Sequence, residues 1–360
     1  MLVSGSFAGP VCKAGQAGQP QGALDIAPAR FAARPTPDVL RLEEEAFYRA
    51  ATSAARSVVR LEWVGGRTLL GERLPGGATA TGLLVDESGL ILTSTYFFLD
   101  RPDALIVRFS DGKASPGRLL GRDFNRMVAL VQAERKGSDL LPTRCPAEEI
   151  EVGMWAIALG WTITEQPHLA VGIVSAKRRI WGKAIQTDAN TSPHNYGGPL
   201  VDINGRVLGI IVPFSPDGRH PIAGVHWYDS GIGFAVPLSD VLSVVPRLAK
   251  GEDLFPGRAG IQFEHPNPIL AEPVVAAVEP GSAADKAGLK PGDRIVRIAG
   301  REVRRAADVE EVFQQHYGGD TLTVAIERAG QRQDFLLTLA LEIWFGLKSL
   351  RVTSDAPPSP

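Results

Sequence analysis

Nucleophilic catalysis needs a hydroxyl or thiol beside a group that takes its proton. The chain offers six histidines as bases, His168, His194, His220, His226, His265 and His316. His194 stands two residues from Tyr196, in the run His194-Asn195-Tyr196-Gly197-Gly198-Pro199-Leu200, whose glycines permit a tight turn. His220 and His226 belong to an insertion-like loop that could fold back. Each histidine reads more simply as a surface or hydrogen-bonded loop residue, and Ser94 and Ser192 read as turn residues. Cys12 and Cys145 are the two cysteines, too few for a disulfide framework or a zinc site. No metal and no cofactor is expected.

These residues are carried by short strands. After a helix expected over 37–58, segments such as VVRLEWV, LILTSTYFF, MWAIALG and RVLGIIVPF alternate with the turn sequences DESG, SDGK, DING and SPDG. Many short strands at even spacing predict a sandwich or barrel. Residues 238–249 predict a helix that Pro246 interrupts near its end. Residues 258–341 read as a smaller α+β unit, with a longer helix at AADVEEVFQQHY.

Composition is that of an ordinary globular protein, 44% hydrophobic and 22% charged. With 38 Lys+Arg against 40 Asp+Glu, the net charge of −2 gives no electrostatic case for nucleic acid or a membrane surface. No run of 18 apolar residues predicts a membrane-spanning helix. The opening MLVSGSFAGPVCKAGQAGQ reads either as the remnant of an export leader or as a flexible tail.

Several motifs in order resemble the HtrA/Deg branch of trypsin-like proteases. They are TGLLVDESGLILTSTYFF, VGMWAIALGW, GIVSAKRR, the QTD…GGPL loop and SGIGFAVPLSDV. VEPGSAADKAGLKPGDRIVRIAGREV resembles a PDZ domain of the same family. The resemblance implies a mainly β fold, a trypsin-like pair of six-stranded β-barrels followed by a small α+β PDZ domain. The implied divisions are a tail at 1–36, a protease-type domain with its N-terminal helix at 37–250, a linker at 251–257, a PDZ domain at 258–342 and a tail at 343–360.

Members of that family cut polypeptides with a serine, a histidine and an aspartate. Carried over position by position, the histidine becomes Tyr96, the aspartate Met127 and the nucleophile Tyr196. The amides of His194 and Tyr196 would correspond to the oxyanion hole. A phenol titrates near ~10 and needs a base, which Tyr96 does not supply. We expect the two tyrosines and Met127 to pack together and plug the cleft. The expected protein is a catalytically inactive homologue that binds peptides or regulates. The alternatives are an active serine endopeptidase with an unorthodox site and a purely structural envelope protein.

In the PDZ-like unit the resemblance places a carboxylate-holding loop at Arg258-Ala259-Gly260-Ile261, with Val309, Val312 and Phe313 either lining the groove or packing the core. Gly281, Gly288 and Gly292 read as turn residues. Expected partners are polypeptide C-termini or unfolded segments, and a homotrimer or active relatives. The implied location is periplasmic or secreted, and cytoplasmic otherwise.

Overall fold

The computed structural model describes residues 37–68, 78–136, 140–161, 168–216 and 222–342. The chain divides into two units, one up to Glu43 and one from Glu44 onward. Helix α1 (Pro37–Ala55) carries Asp38 in its first turn, where a negative charge meets the positive end of the helix dipole. It ends three residues before the expected boundary. Ala50, Ala51 and Ala54 are buried, and Phe47 meets Trp155 edge-on with centroids 5.0 Å apart.

The first barrel is built from β1 (Val58–Val64), β2 (Ala78–Leu84), β3 (Leu90–Ser94), β4 (Ala104–Arg108), β5 (Ala114–Asp123) and β6 (Val128–Ala133). Its order is β5-β4-β1-β2-β3-β6, and pairing of β6 with β5 closes it. The second is β7 (Trp155–Gly160), β8 (His168–Arg178), β9 (Ala184–Thr187), β10 (Pro199–Val201), β11 (Val207–Val212) and β12 (Gly233–Pro237), closed in the order β10-β11-β12-β9-β8-β7. A single turn, α2 (Arg179–Gly182), separates β8 from β9. Closure removes exposed strand edges. It also lets β11, VLGIIV, bury every residue instead of alternating.

Helix α3 (Leu238–Ala249) runs through Pro246 rather than stopping there. Leu238, Val241, Val244 and Leu248 fall on one buried stripe at helical spacing. The segment expected as a linker is partly strand. β13 (Asp253–Leu254) joins β5 in parallel, and Arg122 clamps Asp253 through Nη2–Oδ2 at 2.5 Å and Nε–Oδ1 at 3.1 Å. Phe255 stacks on Phe124 at 4.9 Å.

The remaining elements are β14 (Gly257–Arg258), β15 (Ile261–Phe263), β16 (Val275–Val278), α4 (Ala283–Ala287), β17 (Arg294–Ile298), β18 (Arg301–Glu302), α5 (Ala306–Gln314), β19 (Thr321–Arg328), β20 (Gln331–Thr338) and β21 (Ala340–Leu341). Their sheets are β18-β17-β19-β20, β15-β16 and β14-β21. Ser282 caps α4 by accepting from the Asp285 amide, and Gly288 ends it at φ +87°. Val309, Val312 and Phe313 join Ile295, Ile298 and Val324 in one core.

Candidate functional site

The turn after β3 fixes the first residue singled out. Ser94 Oγ accepts from the Tyr96 amide at 3.2 Å and donates to the Met127 carbonyl at 3.2 Å. The Thr95 amide donates to the same carbonyl at 3.0 Å. Ser94 therefore serves the turn, as its sequence context predicts. Tyr96 is 5% exposed and Tyr196 3%, and their rings meet edge-on with centroids 5.4 Å apart, a favourable aromatic geometry.

Met127 does not complete that cluster. Its backbone lies beside Ser94 and Thr95, but its φ is +58° and its fully buried side chain packs in the other core, with Leu92, Val128 and Leu130. The third ring at the cleft is Tyr228, absent from the sequence reading. Its centroid is 6.3 Å from that of Tyr196, and its hydroxyl lies 3.0 Å from the Tyr96 hydroxyl. Burial, then Tyr228 and Asp229, push the Tyr196 phenol far above its ordinary range. The environment thus opposes formation of a phenolate.

The loop keeps a defined shape. The Asn195 amide donates to the Ser192 carbonyl at 2.9 Å, the Gly198 amide to the Asn195 carbonyl at 2.8 Å and the Gly197 amide to the Ile211 carbonyl at 2.8 Å. Gly197 has φ +88°, and a Cβ there would stand 2.4 Å from the Thr81 carbonyl oxygen. Thr81 Oγ1 donates to the His194 carbonyl at 2.9 Å. Among the described residues, the His194 and Tyr196 amides donate no hydrogen bond.

Among the described residues, no histidine hydrogen-bonds Tyr196. His194 is exposed and its ring packs edge-on against His168 at 5.6 Å. Burial, then the His194 charge, lower the His168 pKa. His226 lies against Trp227, His265 Nδ1 accepts from the Asn267 amide, and His316 Nδ1 bonds the Val312 carbonyl at 2.7 Å. His220 and Cys12 lie outside the described residues. Cys145 is buried and free, and burial raises its thiol pKa. Among the described residues no cluster of three or more His, Cys, Asp or Glu could hold a metal ion.

A second site is open. A cavity of about 140 Å³ is lined by Arg258, Ala259, Gly260, Ile261 and Phe313, all expected there, and by Glu310, Gln314 and Glu342, which were not. Val309 lies in the core, fully buried, away from this lining. On one side β15 pairs with β16; its other edge has no partner strand among the described residues. Another cavity, of about 450 Å³ beside Arg101, Arg118 and Lys250, shares no residue with cleft or groove.

Two closed barrels followed by a small α+β unit with one open strand edge define a trypsin-like peptidase fold joined to a PDZ domain. Residues 80–210 match the trypsin-like peptidase domain family and residues 257–339 the PDZ domain family. A probable periplasmic serine endoprotease DegP-like of Ectopseudomonas mendocina is 30% identical over 290 residues, which are 74% of this chain and 58% of the relative. Putative serine protease HhoB of Synechocystis is 28% identical over 351 residues, 87% and 80% of the two chains. The chain thus spans less than two thirds of the DegP-like relative. The structure of the HtrA-type protease AlgW with a tripeptide superposes with a TM-score of 0.64 at 25% identity, covering 82% of this chain and 97% of that one. The serine endoprotease of Yersinia pestis shares the fold, with a TM-score of 0.60 at 24% identity over 82% and 98% of the chains. The chain belongs to the HtrA-type family.

Proposed function

We propose that this chain is a non-cleaving HtrA-type homologue that holds polypeptide segments, with the PDZ groove as its binding surface. The observation that carries this reading is the occupant of the cleft. The motif resemblance assigns the family's histidine and serine positions to Tyr96 and Tyr196, and these two rings lie edge to face with Tyr228 hydrogen-bonded to the first. Hydrolysis needs an attacking oxygen and a proton acceptor, and losing one triad member already leaves only ~10³–10⁴-fold over water. Here the oxygen is a buried phenol, its partner is a second phenol, and the aspartate position is Met127. Among the described residues the amides of His194 and Tyr196 donate no hydrogen bond, which leaves them available as the oxyanion-hole donors that the resemblance implies, without an attacker.

Peptide binding follows from the open edge of β15 and the adjoining loop, the arrangement by which PDZ domains add a ligand as a strand. AlgW is described with a tripeptide, which supports the same use here. Several relatives are named as periplasmic, which supports a periplasmic location; self-assembly or assembly with active relatives is part of the proposal. The test is a casein-cleavage assay and a fluorophosphonate label on purified protein, beside a peptide-binding assay. The expected result is binding without turnover or label. Turnover abolished by Tyr196→Ala would overturn the reading.

A further inference from the structure

The groove's charge is opposite to what capture of a free terminal carboxylate requires. Carboxylate capture by a backbone loop needs amide donors and, around them, neutral or positive charge. Here the cavity beside the Ala259-Gly260-Ile261 loop is bordered by two carboxylates, Glu310 from α5 and Glu342 from the strand end after β21. Both side chains are half-buried, and among the described residues neither makes a hydrogen bond or an ion pair through its carboxylate. The cation at the rim, Arg258, is engaged by Glu279 at 2.9 Å. The buried Lys183 gives its ammonium to Asn125 Oδ1 at 2.9 Å and Gln314 Oε1 at 3.3 Å.

The chain's own folding puts these acids there. Glu310 lies three and four residues before Phe313 and Gln314, so all three share the groove face of α5. Val309 and Val312 take the core face. Glu342 is delivered by the pairing of β21 with β14, and its amide donates to the Pro256 carbonyl at 2.9 Å. Burial and then the charge of Glu342 raise the pKa of Glu310; burial raises that of Glu342 as well, against the opposing charges of Arg258 and Lys183.

We propose that the groove takes an extended polypeptide segment whose lysine or arginine side chain enters this cavity between Glu310 and Glu342, while the segment's backbone adds to the free edge of β15. A free α-carboxylate at the same place meets like charge and is rejected, so the ligand is an internal basic segment or a blocked end. This inference rests on the peptide-binding reading above and specifies its ligand.

The test uses the full chain and fluorescein-labelled ten-residue peptides of one sequence in three forms: an internal lysine with an amidated end, the same with norleucine for lysine, and the norleucine peptide with a free carboxylate. Anisotropy titrations should show the lysine peptide binding at least about tenfold more tightly than either other form, with the advantage shrinking as salt rises. Glu310→Gln with Glu342→Gln should erase the advantage and improve binding of the free-acid peptide. Far-UV circular dichroism and a thermal melt check that the double variant is folded, and Glu342→Gln alone serves if it is not. Tighter binding of the free-acid peptide by the unaltered chain overturns this inference and leaves peptide binding standing. Failure of all three peptides to bind overturns both.

Discussion

The Tyr317 hydroxyl donates a 2.5 Å hydrogen bond to Asp123 Oδ2. Asp123 ends β5 of the first barrel, and Tyr317 follows α5 of the PDZ domain. The carboxylate is fully buried. It also accepts from the amides of Asn125 and Arg126, each at 2.9 Å, and has Arg126 at 3.8 Å. Arg126 bonds the Tyr317 hydroxyl and lies over its ring. Burial nonetheless raises the Asp123 pKa, outweighing Arg126 and Tyr317. Tyr317→Phe keeps the ring and removes a donor from a buried acid. Urea unfolding of the full chain should show a loss of about 1–3 kcal/mol. An unchanged midpoint would mean that the bond contributes nothing to holding the two domains together.

Lys183 gives that junction a pH dependence. Burial lowers its pKa from 10.5 to about 8, Asp123 opposing the shift and Arg126 reinforcing it. Between those values the unfolded chain keeps the proton and the folded chain has lost it, so stability rises with pH through that window and is reduced at neutral pH. Each unit of such a shift corresponds to about 1.4 kcal/mol, so the effect amounts to a few kcal/mol at most. The melting temperature of the unaltered protein should therefore gain on that of Lys183→Met from pH 8 to 10.5. Parallel curves would contradict the assignment.

Gly197 holds the loop around Tyr196 by having no side chain. At φ +88° an alanine is strained, and its Cβ would meet the Thr81 carbonyl oxygen at 2.4 Å and Thr93 Oγ1 at 2.5 Å. Gly197→Ala should lower stability by at least about 2 kcal/mol, read by thermal melting. If the loop were loose, the substitution would be neutral.

Restoring the serine alone should not restore cleavage. Tyr196→Ser leaves Tyr96 and Met127 in place, and among the described residues no histidine hydrogen-bonds residue 196. Fluorophosphonate labelling of Tyr196→Ser should stay at background. Labelling at residue 196 would show that another group can act as the base.

Much of this was legible in the chain because it is local. The strand patterns, the turn tetrads and the glycines of the GGPL loop declare the barrels, and PGSAADKAGLKPGD declares the PDZ unit. The aromatic plug was half legible. Tyr96 and Tyr196 follow from aligned motifs, whereas Tyr228 arrives from a loop whose path no local pattern fixes; the aromatic run His226-Trp227-Tyr228 was the available signal. Met127 misled because its position in the chain says nothing of its left-handed backbone, which turns the side chain into the neighbouring core. For a related reason the sequence left Val309 open between groove and core and did not single out Glu310. Adjacent helix residues lie 100° apart, and which of them faces a groove depends on what covers the other.

The short strand β13 has a mechanical consequence. Because Asp253 and Leu254 are stitched to β5 and Asp253 is gripped by Arg122, little slack separates the first barrel from the groove. Tension on a chain held in the proposed groove would pass into that barrel's hydrogen-bonded frame. If the groove holds a chain as proposed, its load would be carried across strands that must shear together.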